Sequence, residues 1–182
     1  MAMLCRRTVL LRGAAAAAAA SVGVVAAQAP VDADNTLAPW RPARAPQLDA
    51  IELLTGQRRT LADFAGHPLL VNFWASWCGP CRVEMPSLNA LATRLGASHG
   101  LQLIAVNHGE MPERVRRFLA EVPIAGTVLL DRSQTVFKAW GGRGLPATFV
   151  FDATGRPRVW AEGERDWSAP ALVTALQGVI AR

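Results

Sequence analysis

Cysteine is scarce in this chain of 182 residues, and no second pair stands beside Cys78 and Cys81. A structural zinc site normally takes four Cys or His ligands at regular spacing. The three histidines, His67, His99 and His108, are scattered singly and complete no such set. Lysine occurs once, at Lys138, and arginine supplies the remaining basic residues, a skew that reads as coding bias. Arg114, Arg116 and Arg117 cluster, yet Glu110, Glu113 and Glu121 surround them. That mixture describes a solvated face and argues against nucleic acid as a partner. No internal repeat runs along the chain, and no acidic residue precedes Asp32.

The acid-free N-terminus carries Arg6, Arg7 and Arg12 ahead of an Ala-rich stretch from Gly13 to Ala27. Residues 1–27 read as a signal peptide, with Val25-Ala26-Ala27 offering small residues for cleavage before Gln28. The stretch is short and only weakly apolar for a membrane span; an uncleaved leader acting as a membrane tether is the alternative. Arg6-Arg7 followed by Thr8-Val9-Leu10 resembles a twin-arginine export signal, against an ordinary secretory n-region that contains two arginines. The formal charge of +5 falls to +2 once the leader's three arginines are set aside. Cys5 leaves with the leader, so the mature chain keeps two thiols and no spare. That economy suits the bacterial periplasm, where a stray cysteine would be oxidised or mispaired.

Residues 28–45, rich in Ala and Pro, carry no hydrophobic period and read as an extended tether. Trp40 within it either packs back on the domain or stands as a lone exposed aromatic. The domain proper, 46–182, opens with short strand signals around Leu48 and Ile51–Leu54. Leu69 to Trp74 is apolar except for Asn72, as expected of a central strand buried on both faces. A helix from Cys78 to about Leu95 carries Met85, Leu88, Leu91, Ala92 and Leu95 at helical spacing, with Pro86 expected to kink it. A strand over Leu101–Val106, a helix over Pro112–Val122, a short strand over Thr127–Leu130 and a helix near Gln134–Trp140 follow. Ala147–Phe151 and Arg158–Ala161 alternate around a turn at Asp152–Gly155, making a hairpin. Ser168 is placed to cap a last helix reaching Ile180. The order describes an α/β domain, a mixed central sheet flanked by helices. It is the thioredoxin arrangement with an extra strand and helix inserted before the hairpin half.

Trp77-Cys78-Gly79-Pro80-Cys81 falls at the turn between the central strand and the long helix. Thiols at i and i+3 on a first helical turn can close a disulfide, and the helix end stabilises a thiolate on the first of them. A disulfide across two residues constrains little of the chain, which argues against a purely structural bridge. The arrangement suits dithiol–disulfide exchange, with the thiol pair itself as the redox centre and no separate cofactor or metal.

Val71-Asn72-Phe73-Trp74-Ala75-Ser76-Trp77-Cys78-Gly79-Pro80-Cys81-Arg82-Val83-Glu84-Met85-Pro86 resembles the membrane-associated, exported thioredoxins of the TlpA/ResA type. Gly144-Leu145-Pro146-Ala147-Thr148-Phe149 matches their second signature, and the resemblance spans roughly residues 45 to 182. It implies that Cys78 is the exposed nucleophile and Cys81 the resolving thiol. Gly79 and Pro80 would set the turn and keep bulk away from the substrate, and Trp77 would flank the site as an apolar platform or serve only in packing. Pro146 would be a cis-proline that leaves the backbone of Leu145 open to an extended substrate segment. Where cytosolic thioredoxin keeps a buried aspartate, this chain has Asn72; Glu84, one turn after Cys81, stands where the exported group carries an acid. Glu84 would take the proton of Cys81, the alternative being a surface glutamate that supports the helix.

The resemblance implies an exported thiol–disulfide oxidoreductase acting as a reductant. The Gly-Pro dipeptide is that of thioredoxin, whose potential is about −270 mV, against about −120 mV for an oxidising relative. Client protein disulfides, such as those of apocytochrome c or of copper-site cysteines, and a membrane thiol reductase as electron donor are the partners it implies. A copper-binding chaperone using the two thiols, and an oxidant or isomerase on the same fold, are the alternatives.

Overall fold

Leu69–Trp74 is buried at all six positions and lies near the middle of an eight-stranded mixed sheet. The computed structural model describes residues 36–181. Its strands are β1 (Ala38–Pro39), β2 (Ala50–Glu52), β3 (Arg58–Arg59), β4 (Leu69–Trp74), β5 (Gln102–His108), β6 (Thr127–Asp131), β7 (Ala147–Phe151) and β8 (Pro157–Glu162). The helices are α1 (Gly79–His99), α2 (Pro112–Glu121), α3 (Thr135–Ala139) and α4 (Pro170–Ile180), with a 3-10 turn at Leu61–Phe64. The strand order is β1-β8-β7-β4-β5-β6-β2-β3; β4–β5 and β5–β6 are parallel and every other pair is antiparallel. This is the α/β thioredoxin fold, with α2, β6 and α3 between β5 and the β7–β8 hairpin.

Side chains alternate across a strand, so β4 feeds two cores. Leu70 and Trp74 join the apolar layer under α1, α2 and α4, while Leu69, Val71 and Phe73 join an aromatic layer with Trp40, Phe137, Trp140, Phe149 and Phe151. Asn72 shares the face of Leu70 and Trp74, which aims its amide at α1. Thr148 of β7 is paired with Asn72 across the ladder and is buried beside it.

Several expectations shift. Ala38–Pro39 pairs with β8, Trp40 donates its amide to Arg158 O at 3.0 Å, and the Trp40 ring lies 4.6 Å from that of Phe149. Residues 38–40 therefore belong to the domain rather than to a tether, because a buried tryptophan anchors them. Helix α1 continues past Leu95 to His99 and passes through Pro86 without a break. Gly100 then ends it at φ 68°, its N–H reaching Gly96 O at 3.0 Å. Ser168 does not cap α4: Ala169 holds that place, and the Ser168 hydroxyl and N–H both donate to Asp166 Oδ1. The signal peptide, the arginine pair and residues 28–35 of the tether lie outside the described residues. Among the described residues no helix is long and apolar enough to cross a membrane.

Candidate active site

Strands β4 and β5 run parallel, so both end at the same edge of the sheet, where the loops after them meet. The loop after β4 turns at once into α1. Cys78 is its N-cap, with extended backbone at φ −85° and ψ 103°, and Pro80 lies in the first turn, where a missing N–H costs nothing. Cys78 and Cys81 are joined, with Sγ atoms 2.07 Å and Cα atoms 5.3 Å apart. The Cys81 N–H donates to Cys78 Sγ at 3.2 Å, so the first sulfur itself caps the helix.

The expectation of an exposed Cys78 is corrected. Joined to Cys81, Cys78 is only 5% exposed and Cys81 not at all. Cys78 still keeps the opening to solvent, and Cys81 lies beneath it. Trp77, 62% exposed, stands beside the pair, and Gly79 and Pro80 are exposed. The Leu145-Pro146 peptide is cis. The register of β7 on β4 sets Ala147 opposite Phe73, so Leu145 and Pro146 lie at the sheet edge from which the Cys78 loop leaves. Pro146 is buried and its carbonyl accepts from Gly163 N at 2.8 Å; Leu145 is half-buried and packs against both apolar layers.

Glu84 is not a surface residue: it is 1% exposed, within the core behind Cys81. Its Oε1 accepts from Asn72 Nδ2 at 2.8 Å, and its Oε2 accepts from Trp167 Nε1 at 3.1 Å and from Arg165 N at 3.2 Å. Burial pushes the Glu84 carboxyl up to about 7, against the pull of those three donors, and neighbouring Glu164 adds to the rise. Asn72 also donates to Thr148 Oγ1 at 2.9 Å. Both contacts use the amide N–H2, leaving buried Asn72 Oδ1 without a partner among the described residues. An aspartate here would set two carboxyls in contact; asparagine leaves Glu84 as the single carboxyl of this buried group.

Three contributors were not anticipated. Trp167 and Arg165 reach Glu84 from the loop before α4, a long-range meeting that spacing along the chain does not reveal. Glu110, read as part of a solvated face, is instead buried. Its Oε2 accepts from Ser76 N and Asn107 Nδ2, each at 2.7 Å, and its Oε1 from Ser76 Oγ at 2.6 Å and Arg114 Nε at 2.8 Å. These donors hold the carboxyl below its ordinary range despite burial, and they fasten the loop before Cys78 to the loop after β5. Its signal was its place just beyond a strand end. His108 contributes nothing here: its ring packs edge-on against Phe137, 5.0 Å away, on the opposite face of the sheet.

A thioredoxin-like fold with a paired Cys-x-x-Cys at the head of its first long helix defines the class of protein. The chain belongs to the Redoxin family, whose model matches residues 42–165. It is 35% identical over 103 residues to the thiol-disulfide oxidoreductase ResA of Geobacillus thermodenitrificans, covering 57% of this chain and 59% of that protein. It is 43% identical over 88 residues to the thiol:disulfide interchange protein HelX of Rhodobacter capsulatus, covering 48% of this chain and 47% of that one. The chain thus spans under two thirds of the length of these curated relatives. Among solved structures, a Chlorobium tepidum protein described as a thiol:disulfide interchange protein, DsbE, superposes with a TM-score of 0.64 at 33% identity, covering 74% of this chain and 91% of that one.

Proposed function

We propose that this chain is an exported thiol–disulfide oxidoreductase that reduces disulfides in client proteins. The observation that carries this reading is the Cys78–Cys81 pair on the first turn of α1 with buried Glu84 one turn behind it. In the reduced state Cys78, at the helix N-terminus and facing a backbone N–H, is the sulfur best placed to persist as thiolate. It attacks one sulfur of the client disulfide; a mixed disulfide forms and the other client sulfur leaves as thiolate. Glu84 takes the Cys81 proton, and the Cys81 thiolate attacks Cys78 Sγ. The Cys78–Cys81 bond closes and the second client thiolate leaves, so two electrons pass from the dithiol to the client. Leu145, ahead of cis Pro146, offers a short stretch of backbone to the client's extended segment, and Trp77 flanks it.

The names of the relatives support the chemistry, and the Gly-Pro dipeptide supports the reducing direction, since about −270 mV for thioredoxin lies far below about −120 mV for an oxidant. A reductant in an oxidising compartment needs electrons from outside it, for which a membrane thiol reductase is the inferred donor. Apocytochrome c cysteines or copper-site cysteines are the inferred clients, and no cofactor beyond the thiol pair is invoked. Expressed in cells, Cys81→Ser should accumulate mixed disulfides that a reducing agent dissolves and that Cys78→Ser does not form. Stoichiometric Cu(I) binding by a protein that traps nothing would replace this reading with a copper-chaperone one.

A further inference from the structure

Beside the motif, on the side of α2, lies an open cleft of about 290 Å³ lined by Ser76, Arg82, Arg114, Arg117, Phe118 and Glu121. Ser76 and Arg82 bracket the segment Trp77–Cys81, so the cleft adjoins the place where a client disulfide must sit. In the sequence its arginines looked balanced by neighbouring acids; the structure pairs Arg114 with Glu110 and Arg82 with Glu121 and leaves Arg117 without an acid partner among the described residues. Glu110 is buried and saturated by Ser76, Asn107 and Arg114. Glu113 lies 4.0 Å from Arg116 and forms no ion pair with Arg117 among the described residues. Glu121 is the cleft's only acid, and a single oxygen of it receives both Arg82 terminal nitrogens at 3.3 Å, a long and solvent-exposed contact. Arg114 commits its Nε to Ser76 and Glu110, leaving its terminal nitrogens unbonded among the described residues. Arg117 is exposed and forms no ion pair among the described residues. The Arg82 guanidinium rides 4.8 Å from the centroid of the Phe118 ring, which gives the cleft an apolar floor.

We propose that this cleft binds an acidic side chain of the client polypeptide close to the disulfide being exchanged; the proposal rests on the oxidoreductase reading above. Guanidinium forks fit a carboxylate in two-pronged fashion, and the ring floor accepts the methylenes behind it. An extended chain advances roughly 3.3 Å per residue, so a glutamate or aspartate within a few positions of the client cysteine can enter the cleft while the cystine meets Cys78. Trp77 and Val83, both exposed, are left to the apolar part of the same segment. The cleft thus makes clients with acidic residues beside their cysteines the preferred ones.

The reduced full chain is reacted with two synthetic peptides, each holding an internal disulfide, one flanked by glutamates and the other by glutamines. At low ionic strength the acidic peptide should react about tenfold faster, as expected of steering by a complementary charged patch. That ratio should fall toward one at high salt and in Arg117→Glu, with Arg117→Gln intermediate. Equal rates for the two peptides in the unaltered protein, or a ratio that survives Arg117→Glu, would overturn the cleft as a client site. Failure of both peptides to react would instead overturn the oxidoreductase reading on which it rests. Equal peptide rates together with Arg117-dependent binding to anionic lipid vesicles would give the cleft to a membrane surface and overturn the proposal as well.

Discussion

At Glu84, burial drives the carboxyl toward its neutral form while Asn72, Trp167 and the Arg165 N–H hold it toward the charged one; burial prevails, and the value rises from the ordinary 4.5 to about 7. The unfolded chain releases this proton above 4.5, whereas the folded protein keeps it until about 7, so folding takes up a proton in that window. The contribution to stability is therefore full at low pH and is lost as pH rises through 7, amounting to roughly 3 kcal/mol at most. Glu84→Gln should abolish that slope. Urea unfolding at pH 5 and pH 8 should show the variant gaining on the unaltered protein at the higher pH. The same substitution should slow resolution of the mixed disulfide by roughly 100-fold, the usual yield of a positioned base. An unchanged rate would remove Glu84 from the proton path.

Elements were more legible than their margins. The central strand, the long helix and the hairpin were readable because apolar run, helical period and strict alternation each point to one structure. The end of α1 was misjudged because the apolar period stops at Leu95 while the backbone continues to the glycine that can turn left-handed. A Cβ on Gly100 would meet only His67 Nδ1 at an ordinary 3.6 Å, so the cost of Gly100→Ala comes from φ alone. That substitution should lower stability by about 1–2 kcal/mol in chemical denaturation, leaving thiol exchange unaffected. In the site, the grouping of Cys78, Cys81 and Glu84 was readable because the motif packs them into two helical turns. Trp167 and Glu110 were not, since each meets the site from a distant loop through a contact that no local pattern records. Ser168 misled for another reason: the helix begins one residue later, with Ala169 in the cap position, and the Ser168 N–H and hydroxyl turn back to Asp166 Oδ1.

Across the whole molecule, the sheet depends on a segment that composition alone assigns to a linker. Trp40 packs among Trp140, Phe149 and Phe151, and β1 completes one edge of the sheet. A chain beginning at residue 43 should be less stable than one beginning at residue 36 by about 3–5 kcal/mol, the range for deleting a buried large aromatic, with a correspondingly lower Tm. Equal melting of the two would mean that β1 only rests on the surface. The other edge ends in β3, the two arginines Arg58 and Arg59. Each outermost strand is two residues long; Pro39 on one has no N–H to offer, and Arg58 and Arg59 on the other carry charged side chains paired with Asp49 and Glu52. Short, charged or proline-bearing margins are poor templates for a further strand. On the proposed function, in which client segments bind extended, such margins keep those segments, and copies of the chain itself, from zipping along its flanks. On the same proposal, strand-like pairing is left to the few backbone atoms around Leu145, at the sheet edge from which the Cys78 loop leaves.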